Sequence, residues 1–180
     1  MLLKNNTNKI LKFFFASPSK KFQLRELARV SRISTTGVKA ALSELLADKI
    51  ITKNRDKYEF YEANRNCEVY KFFKKFYNAK MLFDIGIVDH LEKEFNHPEV
   101  IMLFGSASRG EDAEKSDVDI FVLTPVDKEL DLKKFNEKLN REVKLIVMNK
   151  EEFEKAKEKS PELINSITNG IVLRGFLEVV

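Results

Sequence analysis

Two polar segments at the ends of apolar runs carry residues that could bind phosphate and metal. One apolar run ends at Gly105 and Ser106, and a second opens with Asp117 and Asp119. On a strand, Asp117 and Asp119 would point the same way, about 6.5 Å apart along the backbone. Two carboxylates this close repel each other and favour a divalent cation, and such pairs commonly bind Mg²⁺ together with substrate phosphates.

The first segment suits contact with phosphate groups. Gly105 lets the backbone turn tightly and approach a ligand, while the Ser106 hydroxyl and neighbouring amides could hold phosphate oxygens. Arg109 is a candidate for neutralising charge there, although an arginine on an exposed loop is as often without a role. The alternative to a binding site is a purely structural role, in which Gly105 and Ser106 form a hairpin turn and an aspartate ends a strand. That alternative does not explain why two carboxylates would lie on the same face of the strand.

Together the two segments resemble the signature of the polymerase-β-like nucleotidyltransferases, closest to the minimal bacterial and archaeal branch. The similarity covers about residues 98–150 and rests on G-S-x-x-x-G at 105–110 and S-D-x-D at 116–119. It implies a small mixed sheet flanked by helices, with a nucleoside triphosphate as substrate or ligand. The site residues that it implies are Asp117 and Asp119 for catalysis and for one Mg²⁺ ion or two, and Gly105, Ser106 and Arg109 for the nucleotide.

The chain departs from this signature at the third carboxylate. The resemblance places that acid on the strand predicted at 143–148, where this sequence has Lys144, and Glu142 lies on the same face about 6.5 Å away. In the family the third acid helps to deprotonate the attacking hydroxyl or completes the second metal site. Two hypotheses about function stay open. The first is an enzyme that transfers a nucleotidyl group from a triphosphate to an acceptor hydroxyl, and the retained Gly-Ser and Asp-x-Asp residues favour it. The second is a DNA-binding regulator whose second domain binds nucleotide or dimerises without turnover.

Charge is distributed unevenly along the 180-residue chain. Residues 1–66 contain 14 Lys and Arg against 6 Asp and Glu, a net charge of +8, whereas residues 67–180 contain 18 against 22, a net charge of −4. A basic first part favours a polyanionic partner, although solvated surface charge is the plainer explanation.

The hydrophobic pattern of the basic part predicts three helices and a hairpin. The helices are expected at Asn8–Ala16, at Gln23–Val30 and after an N-cap at Ser34, and the β-prone runs are Ile50–Thr52 and Tyr58–Tyr61. This order resembles a winged helix-turn-helix domain, over residues 5–64. The resemblance implies contacts with duplex DNA from the start of the third helix and from the wing, by Ser34, Thr35, Thr36, Lys39, Lys53, Arg55 and Lys57. A winged helix that only contacts protein is the alternative.

We expect an α+β or α/β chain with three parts: a winged helix at 1–66, a helical connector at 67–97 and a nucleotidyltransferase-like domain at 98–180. Helical patterns at 68–76 and 85–95 form the connector, and its aromatic residues are expected in a core or a dimer interface, so a homodimer stays open. Later elements are a helix at 130–140, a strand at 143–148, and helical stretches at 151–159 and 161–168.

The composition predicts a cytoplasmic protein without a membrane segment. Cys67 is the lone cysteine, which excludes an intramolecular disulfide and fits a reducing compartment. No apolar run approaches the length needed to cross a bilayer, and the N-terminus lacks a cleavable signal pattern. Resemblance to the minimal nucleotidyltransferases also implies a partner protein encoded beside this one, as in toxin–antitoxin pairs.

Overall fold

The chain divides into two compact units between Tyr77 and Asn78. The structure is a computed structural model that describes residues 6–178. The division falls within the segment predicted as the helical connector. The three domain boundaries drawn from the sequence stay a prediction.

Within residues 6–77, three helices are followed by a β-hairpin and by most of a fourth helix. These elements are α1 Asn6–Ala16, α2 Leu24–Ser31, α3 Thr35–Ala47, β1 Ile51–Arg55, β2 Glu59–Ala63 and α4 Glu68–Asp84. The two strands pair antiparallel, and Phe22 adds an isolated bridge to Tyr61, with both N–H···O bonds at 2.8 Å. The predicted order of elements is therefore present, and both strands extend further than the sequence indicated.

Helix α3 forms where the sequence places it because its apolar residues recur at helical spacing. Val38, Ala41, Leu42 and Leu45 are buried in the core of the first unit. Ser34 is the N-cap, as predicted, and its Oγ accepts a hydrogen bond from the Gly37 amide at 3.2 Å. The start of α3 is thus fixed locally by its own sequence.

Helix α4 is a single helix of 17 residues rather than the shorter segment predicted at 68–76. Its first part contributes to the first unit: the Tyr70 hydroxyl donates to the Phe14 carbonyl at 3.2 Å, and Lys74 Nζ donates to the Phe15 carbonyl at 2.6 Å. Among residues 6–178, no helix combines the length and apolar character needed to span a membrane.

The second unit is a mixed four-stranded sheet flanked by helices, as the sequence predicted. Its elements after α4 are α5 Ile87–Glu94, β3 Val100–Phe104, α6 Gly105–Arg109, β4 Val118–Leu123, α7 Lys133–Leu139, β5 Val143–Met148, α8 Lys150–Lys159, α9 Pro161–Thr168 and β6 Ile171–Gly175. The strand order is β5-β4-β3-β6. Strands β4 and β5 are parallel, whereas β3 pairs antiparallel with β4 and with β6.

Helices cover both faces of this sheet because, apart from Asp119, both sets of alternating side chains on β4 are apolar. Ile120 packs in one core with Leu91 of α5 and Phe135 of α7. Phe121, on the opposite face, packs in a second core with Phe153 of α8. Burial on both faces leaves the strand ends as the places where polar side chains of the sheet reach solvent.

The sequence expectations failed at two places in this unit. Gly105–Arg109 was expected to be a turn and polar loop, but it is the short helix α6, which ends at Gly110 with φ of 71°. Strand β6 was not predicted at all. Its burial alternates only weakly, so its place at the sheet edge is set by pairing with β3 rather than by its own pattern.

Candidate functional site

The two polar segments of the sequence meet at one end of the sheet. Phe104, the last residue of β3, pairs with Asp119 of β4, so Gly105 lies directly beside Asp119. Gly105 has φ of 71°, and a Cβ added there would overlap Asp119 Oδ2 and lie 3.2 Å from Asp119 Cγ. Only glycine both adopts this conformation easily and allows the backbone so close to the carboxylate.

Asp117 and Asp119 lie at the start of β4, close enough to influence each other. Asp117 immediately precedes the strand and Asp119 is its second residue. Burial raises the pKa of the Asp119 carboxyl above its ordinary value, and the negative charge of Asp117 raises it further. The two carboxylates therefore form a site of concentrated negative charge at this end of the sheet.

Lys144 compensates part of this charge. It pairs in parallel register with Asp119, and its Nζ lies 2.6 Å from Asp117 Oδ2. The hydrogen bond to Asp117, followed by the charge of Asp117, raises the pKa of the Lys144 ammonium, so it stays protonated at neutral pH. Glu142 is exposed and precedes β5, where its carbonyl accepts a hydrogen bond from the Val118 amide at 2.8 Å.

The other predicted nucleotide-binding residues lie on α6. Ser106 is partly buried, and its carbonyl accepts a hydrogen bond from the Glu111 amide at 3.0 Å. Arg109 is exposed, and its Nε donates to Glu111 Oε2 at 2.9 Å. Burial and the charge of Asp117 raise the pKa of Asp119, and the positive charge of Arg109 acts in the opposite direction.

The carboxylate pair could contribute oxygen ligands to a divalent cation. Within residues 6–178, no cluster of three or more His, Cys, Asp or Glu side chains is arranged to hold a metal ion. The donors at this position are Asp117 and Asp119, and one oxygen of Asp117 is already bonded to Lys144. Two carboxylates suit an ion such as Mg²⁺, which takes its remaining ligands from water and from substrate phosphates.

Comparison with known proteins finds a family similarity over this part of the chain. Residues 85–173 match the family model of the nucleotidyltransferase domain. The matched segment is just under half of the chain and includes both polar segments and Lys144. A crystal structure from Sulfolobus solfataricus, provisionally assigned as a nucleotidyltransferase, is 19% identical with a TM-score of 0.34, over 61% of this chain and 94% of that chain. A search of curated proteins gives no match.

A buried polar network beside the Asp117 and Asp119 pair was missed by sequence reasoning. Arg141 donates from Nε to the Ser116 carbonyl at 2.5 Å, from Nη2 to the Asp117 carbonyl at 3.1 Å, and from Nη1 to Asp112 Oδ2 at 2.9 Å. Asn78 Nδ2 donates to Asp112 Oδ1 at 2.7 Å and to the Ala107 carbonyl at 2.8 Å. A single arginine before a strand carries no local signal for contacts between residues so far apart in sequence.

The residues predicted to contact DNA all lie in the first unit. Ser34, Thr35, Thr36 and Lys39 are exposed at the start of α3, where the Ser34 Oγ is already used as the helix cap. The hairpin contains Lys53, Arg55 and Lys57. Lys53 Nζ lies 2.8 Å from Glu59 Oε2, and Lys57 Nζ lies 5.8 Å from the centre of the Tyr58 ring. Part of the positive charge of the hairpin is therefore paired within the hairpin itself.

Proposed function

We propose that the second unit is a nucleotidyltransferase that transfers a nucleotidyl group from a nucleoside triphosphate to an acceptor hydroxyl with the help of Mg²⁺. The observation that carries the proposal is the contact between Gly105 and Asp119, because it brings the predicted phosphate-binding and metal-binding residues together. The family match over residues 85–173 supports the same reaction class. The acceptor belongs to the class of hydroxyl compounds, and a protein encoded beside this one is a candidate.

Each residue has a distinct proposed role. Asp117 and Asp119 would hold the cation, which when bound supplies charge stabilisation to the triphosphate during in-line displacement. Gly105 lets the backbone lie directly against the Asp119 carboxylate, and Ser106 would donate to a phosphate oxygen. Arg109 would offset the charge of the phosphates. Lys144 already neutralises part of the carboxylate charge, so this set of residues suits one cation better than two.

The ion pair between Lys144 and Asp117 favours a second candidate function. A protonated lysine cannot accept a proton from the attacking hydroxyl. The second candidate is therefore a DNA-binding regulator in which the same unit binds nucleotide, or dimerises, without turnover.

For the first unit we propose a winged helix-turn-helix domain that binds duplex DNA. Three helices followed by a paired hairpin support this proposal, as does the net charge of +8 on residues 1–66. A cytoplasmic location accords with the lone cysteine.

Calorimetric titration of the full-length chain with each Mg²⁺–nucleoside triphosphate tests the site. Asp117→Asn combined with Asp119→Asn removes the paired negative charge and should abolish binding. The matched control is Asp127→Asn with Glu129→Gln, which makes the same charge change at exposed residues after β4 and should leave binding unchanged. Unchanged affinity in the Asp117/Asp119 variant would contradict the proposed site.

Turnover separates the two candidate functions. Release of pyrophosphate by the wild-type chain, lost in the Asp117/Asp119 variant, supports the transferase. The candidate acceptor, the protein encoded beside this one, is included in the assay. If the chain then binds triphosphate tightly but releases no pyrophosphate, the result supports the regulator.

A further inference from the structure

The side chains of Arg141, Asp112 and Asn78 form a continuous hydrogen-bonded chain from one half of the site to the other. At one end Arg141 holds the carbonyls of Ser116 and Asp117, which lead into β4. At the other end Asn78 holds the carbonyl of Ala107, within the helix that begins at Gly105. Asp112 joins the two, since each of its carboxylate oxygens accepts one of these donors.

Burial makes this hydrogen-bonded network of three side chains rigid. The Asp112 side chain is fully buried and that of Arg141 is 8% exposed, and Asn78 is buried as well. Arg141 uses all three guanidinium nitrogens on protein acceptors, and a planar guanidinium fixes the direction of each bond. In a site that excludes water, loss of one bond leaves a polar group without a replacement partner. The three side chains therefore favour a single arrangement, because any other would leave more of their buried polar groups without a hydrogen bond.

We propose that Arg141 is a positioning residue that fixes the Asp117 backbone relative to the Gly105 segment, and so sets the geometry in which the carboxylate pair receives a divalent cation. The proposal rests on the proposed function, because it assigns a role toward that cation. Arg141 itself does not compete for the site. Its charge is paired with Asp112, and its remaining bonds go to backbone carbonyls rather than to the Asp117 or Asp119 carboxylates.

The test compares Arg141→Lys with the matched variant Arg174→Lys in the full-length chain. Both substitutions keep the charge and remove the guanidinium fork. Arg174 also binds two carboxylates, Asp89 and Glu92, but lies on β6. Mn²⁺ is titrated without nucleotide, below the unfolding temperature of each variant. We expect Arg141→Lys to weaken Mn²⁺ binding by about 10- to 100-fold, the usual effect of losing an outer-shell partner, and Arg174→Lys to leave it within about twofold.

Hydrogen exchange provides the second readout and does not depend on metal. Arg141→Lys should speed amide exchange in both the 103–110 and the 111–119 segments. Asn78→Ala keeps the ion pair between Asp112 and Arg141, and it should speed amide exchange mainly in the 103–110 segment. Wild-type Mn²⁺ affinity in folded Arg141→Lys, or faster exchange confined to 111–119, would overturn the proposal. A wild-type chain that binds no Mn²⁺ contradicts the proposed function instead, and the exchange data then decide alone whether Arg141 couples the two segments.

Discussion

At the scale of single residues, Lys144 is placed to compete with a divalent cation for the carboxylate pair. Its ammonium lies 2.6 Å from Asp117 Oδ2, and a divalent cation bound by Asp117 would compete with it for the same oxygen. The Lys144 side chain is 55% exposed and can turn toward solvent when a cation displaces it. Water also screens the pair, so the competition is modest.

Replacing Lys144 should strengthen metal binding. We expect Lys144→Met to raise Mn²⁺ affinity by up to about fivefold, because an exposed ion pair is worth up to about 1 kcal/mol. Lys144→Asp adds a third carboxylate and should raise both Mn²⁺ affinity and, with an acceptor present, the rate of transfer. Calorimetry and pyrophosphate release measure these two quantities.

Lys150→Met is the matched control for Lys144→Met. Lys150 also pairs with one carboxylate, Glu99 at 3.0 Å, and its loss should leave Mn²⁺ affinity unchanged. A wild-type chain that turns over rapidly and is slowed by Lys144→Asp would refute the idea that Lys144 limits the reaction. Glu142 would then be the favoured third acid.

Tyr61 makes the stability of the first unit depend on pH in the alkaline range. Burial, and then the hydrogen bond from its hydroxyl to Glu59 Oε1 at 2.9 Å, raises the pKa of Tyr61 from 10.0 to about 12. A group whose pKa is raised by folding binds its proton more tightly in the folded state. Tyr61 therefore contributes stability that is fully present below pH 10 and is lost as the pH rises through about 12.

Tyr61→Phe should consequently flatten the pH dependence of unfolding above pH 10. The free energy of unfolding of the wild type falls between pH 10 and about 12, and the variant lacks the tyrosine part of that fall. Urea denaturation at several pH values measures it. Lysines also ionise in this range, so the comparison is with Tyr58→Phe, which alters an exposed tyrosine in the turn between β1 and β2 and should keep the wild-type slope. Equal slopes in the two variants would contradict the prediction.

At the scale of elements, the sequence predicted best those whose signals are local. Strand β5 and helix α9 have the predicted bounds, and α3 begins after the predicted cap at Ser34. Apolar spacing and a capping side chain decide these elements without help from distant residues. The resemblance to a family signature placed Gly105 and Asp119 in one predicted site, and the pairing of β3 with β4 brings the two residues side by side.

Other elements depend on contacts that the sequence does not display. Helix α6 forms where a turn was expected, and the Ser108 hydroxyl donates to the Gly105 carbonyl at 2.9 Å within it. Strand β6 is defined by pairing with β3. Arg141 donates to Asp112, 29 positions earlier in the sequence. The hydrophobic periodicity of the two segments does not predict this pair.

Helix α3 and the hairpin are the elements expected to contact DNA. Thr36 and Lys39 lie on the exposed side of α3, and Arg55 ends β1. In the full-length chain, Lys39→Ala with Arg55→Ala should weaken binding to duplex DNA. It should also lower the dependence of log affinity on log salt by about 0.9 for each phosphate that the variant no longer neutralises. Fluorescence anisotropy over a range of salt concentrations measures both effects.

The control for this double variant is Lys150→Ala with Lys155→Ala, which removes two cations from the start and middle of α8 in the second unit. It should leave the salt dependence unchanged. If the wild-type chain retains no DNA at about 50 mM salt, where electrostatic binding is strong, the first unit contacts protein instead.

At the scale of the whole molecule, the chain has two units with separate cores. Leu42 and Tyr70 belong to the core of the first unit, and Ile120 and Phe121 belong to the two cores that cover the sheet of the second. The charge also separates, with +8 on residues 1–66 and −4 on residues 67–180. Since each core packs side chains from its own unit, we expect each unit to lose structure independently.

Single core truncations should therefore act on one unit at a time. Leu42 is 1% exposed and Ile120 is 0% exposed, and truncating such a side chain to alanine costs about 2–5 kcal/mol of stability. Leu42→Ala should speed hydrogen exchange in residues 6–77 and weaken DNA binding, with little change in triphosphate affinity. Ile120→Ala should do the reverse. Helix α4 reports on coupling because it begins in the first unit and ends in the second. If Leu42→Ala speeds exchange equally on both sides of Tyr77, the chain unfolds as one cooperative body. A substitution that destabilises either unit would then reduce both DNA binding and triphosphate binding.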